Sequence, residues 1–259
     1  RLGGATGSVS GEAGTMRGSC PGWVGRALVW VLGTAVVAAH ALDPNNLSVD
    51  GEALLRQIET LGRDMSDSAA PAVTRVLFTE HDMRARKYVK ELMEVAGLAV
   101  REDSMGNIFG RLDGENTDAA PVMSGSHTDA IPLSGKYDGV VGVLGAIEAL
   151  RALKQSGCTF ERPLDALMFT SEEPTRFGLS CVGSRAMCGR LEPGFLDSLK
   201  DENGTTFTEA IHGAYGTSGT TAEVVKGARI ERGKVHAFLE LHIEQGDRPT
   251  HPSFSNEAH

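Results

Sequence analysis

The residues best suited to chemistry lie at 124–142, S-G-S-H-T-D-A-I-P-L-S-G-K-Y-D-G-V-V-G. This stretch sets His127, Asp129 and Asp138 in a loop between an apolar run at 120–123 and a helical pattern that begins near Gly139. Imidazole and carboxylate groups gathered at a strand's end offer nitrogen and oxygen donors from one rigid edge, as a divalent metal ion requires. A second candidate is S-E-E-P-T-R-F-G at 171–178, where Glu172 and Glu173 follow an apolar strand pattern. Adjacent carboxylates there lose water at a cost unless a cation joins them. Neighbours in an extended segment point apart, so one can bind metal while the other faces the substrate water. The third candidate is F-L-E-L-H-I-E-Q-G at 238–246. Alternation puts Ala237, Leu239, Leu241 and Ile243 on one face and Glu240, His242 and Glu244 on the other, so a half-buried strand would present His242.

Each candidate also has a plainer reading. His127 could be a hydrogen-bonded structural histidine, and Asp138 the N-cap of the helix it precedes. Glu172 and Glu173 could be a solvated acidic loop at a helix N-terminus, and His242 a solvent-facing strand residue. Their joint occurrence at strand ends and loops is harder to explain that way, because open α/β sheets place ligands beyond the carboxyl ends of their strands.

Periodicity supplies the elements that must hold these groups. Leu54, Ile58 and Leu61 predict a helix capped by Ser48 or Asp50 and running to about Arg63, and Met83, Tyr88, Leu92 and Val95 predict another over 81–95. Short strands are expected at 98–102 and 107–112, joined by a turn at Met105-Gly106-Asn107. Strand, helix and strand then follow through 120–127, about 139–157 and 164–170, a βαβ unit. It predicts an α/β fold with a mainly parallel sheet flanked by helices. Helical pieces are expected at 179–187 and 207–214, with a flexible loop at 216–221.

Composition narrows the function classes. A chain of 259 residues, 41% hydrophobic and 23% charged, can bury a sizeable core. A net charge of -9 argues against nucleic acid as a partner and leaves small molecules as the default. The glycines at 139–145 are spaced three apart, unlike a dinucleotide fingerprint, and no G-x-S-x-G elbow or P-loop occurs.

Residues 1–15 read as an upstream leader outside the fold. Residues 16–41 read as a secretory signal, with Arg17 and Arg26 before an apolar run and Ala39-His40-Ala41 as cleavage site. The expected location is therefore the endoplasmic reticulum or secretory pathway, with no stable membrane association after cleavage. Cys20 would leave with the signal. Cys158, Cys181 and Cys188 would remain as packed or free thiols, a Cys181 to Cys188 bridge being the weaker alternative.

Taken together and in order, the three motifs resemble the two-metal amidohydrolases that act on allantoate, ureidoglycolate and N-carbamoyl amino acids, within the co-catalytic metallopeptidases. A-I-P-L-S-G-K-Y-D-G and E-E-P-T-R-F-G most resemble the plant members that act on ureidoglycolate. The resemblance covers about 47–246, the N-terminal part of the family's catalytic domain, and a divergent tail follows at 247–259. It implies two divalent ions, manganese above all, with His127, Asp138, Glu173 and His242 as ligands and Asp138 bridging. It also implies Asp129 as the orienting partner of His127, Glu172 as general base, and Glu172, Glu173, His242, Ile243, Glu244 and Gln245 around a small ureide substrate. Family members are homodimers, but the dimerisation domain has no counterpart here. The implied activity is conversion of ureidoglycolate to glyoxylate, ammonia and carbon dioxide. The alternatives are an allantoate amidohydrolase, or an inactive form lacking the lid and last metal ligand.

Overall fold

Asp50 accepts a hydrogen bond from Ala53 N and starts α1 (Gly51–Asp64). Thr79 does the same for α2 (Glu80–Val95), each satisfying an N–H that the helix itself leaves unpaired. The structure, a computed structural model, describes residues 47–245. The leader at 1–15, the signal at 16–41 and the tail at 247–259 lie outside the described residues.

Between and after these helices come β1 (Val73–Arg75), β2 (Ala99–Glu102), β3 (Ile108–Leu112), β4 (Val122–His127), β5 (Ala130–Ser134), α3 (Val140–Gln155) and β6 (Leu164–Phe169). Four short helices follow, α4 (Val182–Met187), α5 (Pro193–Ser198), α6 (Phe207–Tyr215) and α7 (Thr221–Ala228), and then β7 (Ala237–Leu239). The main sheet has the order β2-β3-β6-β4-β7, and β1 pairs with β5 separately. The βαβ unit is present as β4, α3 and β6, with β4 parallel to both β6 and β7. The parallel pairing stops there. β2 and β3 form a hairpin, which can only be antiparallel, and β3 runs antiparallel to β6.

Side chains of β6 divide between the two faces as the strand period demands. Ala166 and Met168 join α1, α2 and α3 in one core. Leu167 turns the other way, to Phe109, Met123 and Met187. A further apolar cluster sits among α4, α5, α6 and α7, with Phe207 between Phe78 and Phe177. Among the described residues no helix is long and apolar enough to cross a membrane.

Two buried arginines tie these layers to the strand ends. Arg86 pairs with Asp82 at 2.8 Å, donates to Gly106 O, and reaches Thr170 Oγ1 just past β6. Arg75 donates to Leu61 O and Met65 O at the end of α1 and to Thr128 O, next to His127. Such charges are tolerated only because each guanidinium nitrogen finds an acceptor.

At Gly125 the β4 backbone leaves no room for a side chain, since a Cβ there would lie 1.8 Å from Leu167 O. Gly125→Ala must therefore push the two central strands apart. It is expected to destabilise the fold by at least about 3 kcal/mol, the upper end for overpacking, read as a lower denaturant midpoint. An unchanged midpoint would refute the tight packing.

Candidate metal centre

The carboxyl ends of β4 and β6 lie side by side, His127 opposite Phe169, so both sequence motifs emerge at one rim. His127 is the last residue of β4, within the strand rather than in the loop after it. Asp138 is likewise not the cap of α3: Gly139 holds that position, with no side-chain capping bond. Gly139 has φ 65°, and a Cβ on it would meet the His127 ring at 2.5 Å, so glycine alone lets the helix start against the imidazole.

The third motif differs most from expectation. Only Ala237–Leu239 is a strand, and residues 240–245 have no regular structure. Leu239 and Leu241 are more than half exposed, and Ile243 is half-buried. The physical reason is that β7 pairs with β4 alone among the described residues, so the segment lies at the sheet's edge, where Leu241 meets only the glycines of α3, its Cδ2 3.5 Å from where a Cβ on Gly145 would sit. Phe238, on the opposite face, is the residue that packs, edge-on against Phe169 at 5.6 Å.

His242 nevertheless reaches the rim. Its Nε2 lies 3.4 Å from Asp138 Oδ1, and His127 Nε2 lies 3.9 Å from the same oxygen. In both imidazoles Nδ1 meets a backbone carbonyl, Asp129 O at 2.9 Å for His127 and Ile243 O at 2.8 Å for His242. A carbonyl can only accept, so Nδ1 carries the hydrogen in both rings, which leaves Nε2 as the atom a metal ion would take in place of a proton. Asp138 Oδ1 is buried without a hydrogen-bond partner. A buried carboxylate oxygen with no hydrogen bond, beside two imidazole Nε2 atoms, is a donor set that a divalent ion satisfies. The residues therefore fit a metal.

His127, Asp138 and His242 form one donor set, and His127, Glu172 and Glu173 another, with ligand atoms within 4.8 Å of one another in each. The side chain common to both sets is His127. Glu172 Oε2 stands 3.4 Å from His127 Nε2. Asp129 supports both motifs: its Oδ1 is 3.5 Å from His127 Nδ1, and its carboxylate accepts from Glu172 N at 3.3 Å and Glu173 N at 2.9 Å. Gln245 donates to Asp138 Oδ2, while Glu244 is exposed.

The local field matches this chemistry. Burial pushes the His127 imidazole down, but the carboxylates of Asp129 and Glu172 outweigh it and raise it to about 9. Burial raises the Glu173 carboxyl, with His127 opposing and the Glu172, Asp129 and Asp138 carboxylates adding to the rise. Crowded carboxylates around one imidazole favour a positive charge at their centre.

Sequence reasoning missed three participants. Ser126 donates to Glu240 at 2.6 Å, linking β4 to the segment that carries His242. Arg75 holds Thr128, and only contacts distant in sequence could reveal it. Cys181 approaches Glu172 Oε1 at 3.4 Å, and burial together with that carboxylate keeps the thiol above its ordinary range, so the sulfur retains its proton. Cys158, Cys181 and Cys188 form no disulfide.

Comparison with known proteins places the chain in a family. The ureidoglycolate hydrolase of Arabidopsis thaliana is 51% identical over 206 residues, covering 78% of this chain and 42% of its own length. That of Oryza sativa subsp. japonica is 48% identical over 200 residues, 76% of this chain and 40% of its own. The crystal structure of AtUAH in complex with glyoxylate superposes with a TM-score of 0.73 at 50% identity, covering 78% of this chain and 48% of that one. This chain thus spans less than half the length of the curated relatives it matches. The model of peptidase family M20/M25/M40 matches residues 123–255, which begin in β4 and take in every donor described above, and the chain belongs to that family.

Proposed function

We propose that this chain carries the metal-binding and proton-transfer residues of a hydrolase that cleaves the ureido group of ureidoglycolate, giving ammonia, carbon dioxide and glyoxylate. The observation that carries the reading is the convergence of two imidazole Nε2 atoms on the unpartnered Asp138 Oδ1, with the Glu172 carboxylate alongside. The choice of ureidoglycolate rests on the likeness to the two plant hydrolases.

His127, Asp138 and His242 would hold one divalent ion, and Asp138 with Glu173 a second. Oxygen and imidazole donors without thiolate suit manganese. When bound, such ions supply Lewis acidity toward the ureido carbonyl and make water more acidic. Glu172 accepts the proton of the attacking water and returns it to the departing nitrogen. Asp129 keeps His127 turned toward Asp138 and fixes the backbone of Glu172 and Glu173. Ile243, Glu244 and Gln245 border the substrate beside His242. The signal pattern at 16–41 supports residence in the endoplasmic reticulum or secretory pathway.

The test is ammonia release by the purified full chain, with and without manganese, from ureidoglycolate and from allantoate. Manganese-dependent release, faster from ureidoglycolate, is expected. Faster release from allantoate would move the substrate assignment. Bound manganese with no release from either would reduce the protein to a metal-binding chain without turnover.

A further inference from the structure

The two oxygens of Glu172 have different neighbours. Oε2 stands 3.4 Å from His127 Nε2, whereas Oε1 lies 3.4 Å from Cys181 Sγ. The backbone keeps this contact in register: Cys181 N donates to Glu172 O at 2.8 Å, Val182 N to Ser171 O at 2.9 Å and Gly183 N to Thr170 O at 2.9 Å. Cys181 itself is at φ 60°, ψ 32°, and it occupies the N-cap of α4 without making a capping bond. Left-handed backbone favours glycine, and an N-cap favours a side-chain oxygen or glycine. Cysteine serves neither the backbone nor the helix at this position. What it does reach is the carboxylate, and backbone strain retained beside a reactive group is characteristic of functional sites.

We infer that Cys181 is a positioning residue: its S–H, donated to Glu172 Oε1, holds the carboxylate in the rotamer that turns Oε2 toward the metal centre. The inference rests on the proposed role of Glu172 as proton acceptor. A thiol is a weak donor, so it orients the carboxylate without tying up its charge as a cation would. The remaining oxygen stays available to the attacking water.

The experiment uses the full chain loaded with manganese and compares Cys181→Ala, Cys181→Gly and Cys181→Ser on ureidoglycolate. Alanine and glycine are expected to lower kcat about tenfold, a modest loss on the scale of misplaced catalytic groups, with KM and bound manganese unchanged. Serine restores most of the rate, because it keeps a donor on the same Cβ. Glycine should at the same time raise Tm by about 2–4 °C, since it is at ease at positive φ. Stability gained while turnover is lost separates positioning from packing, which would move both together. Equal kcat in the wild type and the alanine and glycine variants overturns the inference. If the wild type releases no ammonia, the proposed activity has failed. The contact is then judged from the infrared S–H stretch of Cys181, with the other cysteines replaced by serine. Glu172→Ala should shift that band to higher wavenumber, and an unmoved band overturns the inference.

Discussion

Glu172→Gln is expected to lower manganese-dependent ammonia release by about 10²–10⁴-fold, the usual contribution of a positioned general base, while bound manganese and Tm stay near wild type. The geometry explains why the two effects should separate. Glu172 is held mainly through its backbone, whose N–H donates to Asp129 and whose carbonyl accepts from Cys181 N. An isosteric amide leaves those bonds in place. The carboxylate oxygens are what change: Oε2 faces His127 Nε2, and glutamine cannot take a proton there at neutral pH. The metal donors His127, Asp138 and His242 keep their mutual geometry without it. Turnover and manganese content measured on one preparation decide the matter. A variant within a few-fold of wild type removes Glu172 as base, and a variant that has lost its manganese makes it a ligand instead.

Local pattern made much of this readable in advance. The helices at 51–64, 80–95 and 140–155 have apolar stripes and end signals that one segment carries by itself, and their bounds lie within a residue or two of those expected. The β2–β3 hairpin was legible because Gly106 takes φ 87° in a turn that Asp103 closes by accepting from Met105 N and Asn107 N. β1 and β5 were not legible. Each is short, and they exist only because Val73 finds Ser134 and Arg75 finds Ala130 far along the chain. Helix α7 was also missed, although Thr220 and Glu223 form a capping box, because the glycine- and threonine-rich run before it reads as loop.

The candidate site divides in the same way. His127, Asp138, Glu172 and Glu173 were found because they sit at the ends of elements that periodicity predicts. The strand expected to present His242 was overextended, since alternation records a preference for burial but not whether a strand at the sheet's edge has neighbours to provide it. The link from Asp129 to the Glu172 and Glu173 backbone has no sequence signature at all. It arises because β4 and β6 are parallel neighbours ending at the same height.

Asp138→Asn should abolish the thermal response to manganese without weakening the metal-free protein. A ligand that binds only the folded state at a hundred times its Kd stabilises by about 2.7 kcal/mol, which for a domain of this size raises Tm by about 5–10 °C. Wild type is therefore expected to melt several degrees higher with excess manganese than with chelator. In the variant both curves should coincide. The metal-free comparison carries the opposite sign, which makes the test specific. Asp138 Oδ1 makes no hydrogen bond, its charge adds to the crowding of Asp129, Glu172 and Glu173 around one imidazole, and an amide oriented by Gln245 on its other side would keep the shape without the charge. Removing one of four crowded carboxylate charges favours the folded state. Metal-free Asp138→Asn is accordingly expected to melt at or above metal-free wild type, while losing manganese retention through gel filtration. A variant that still gains several degrees from manganese would show that the ion binds elsewhere. One that melts well below wild type without metal would make Asp138 a structural anchor rather than a ligand.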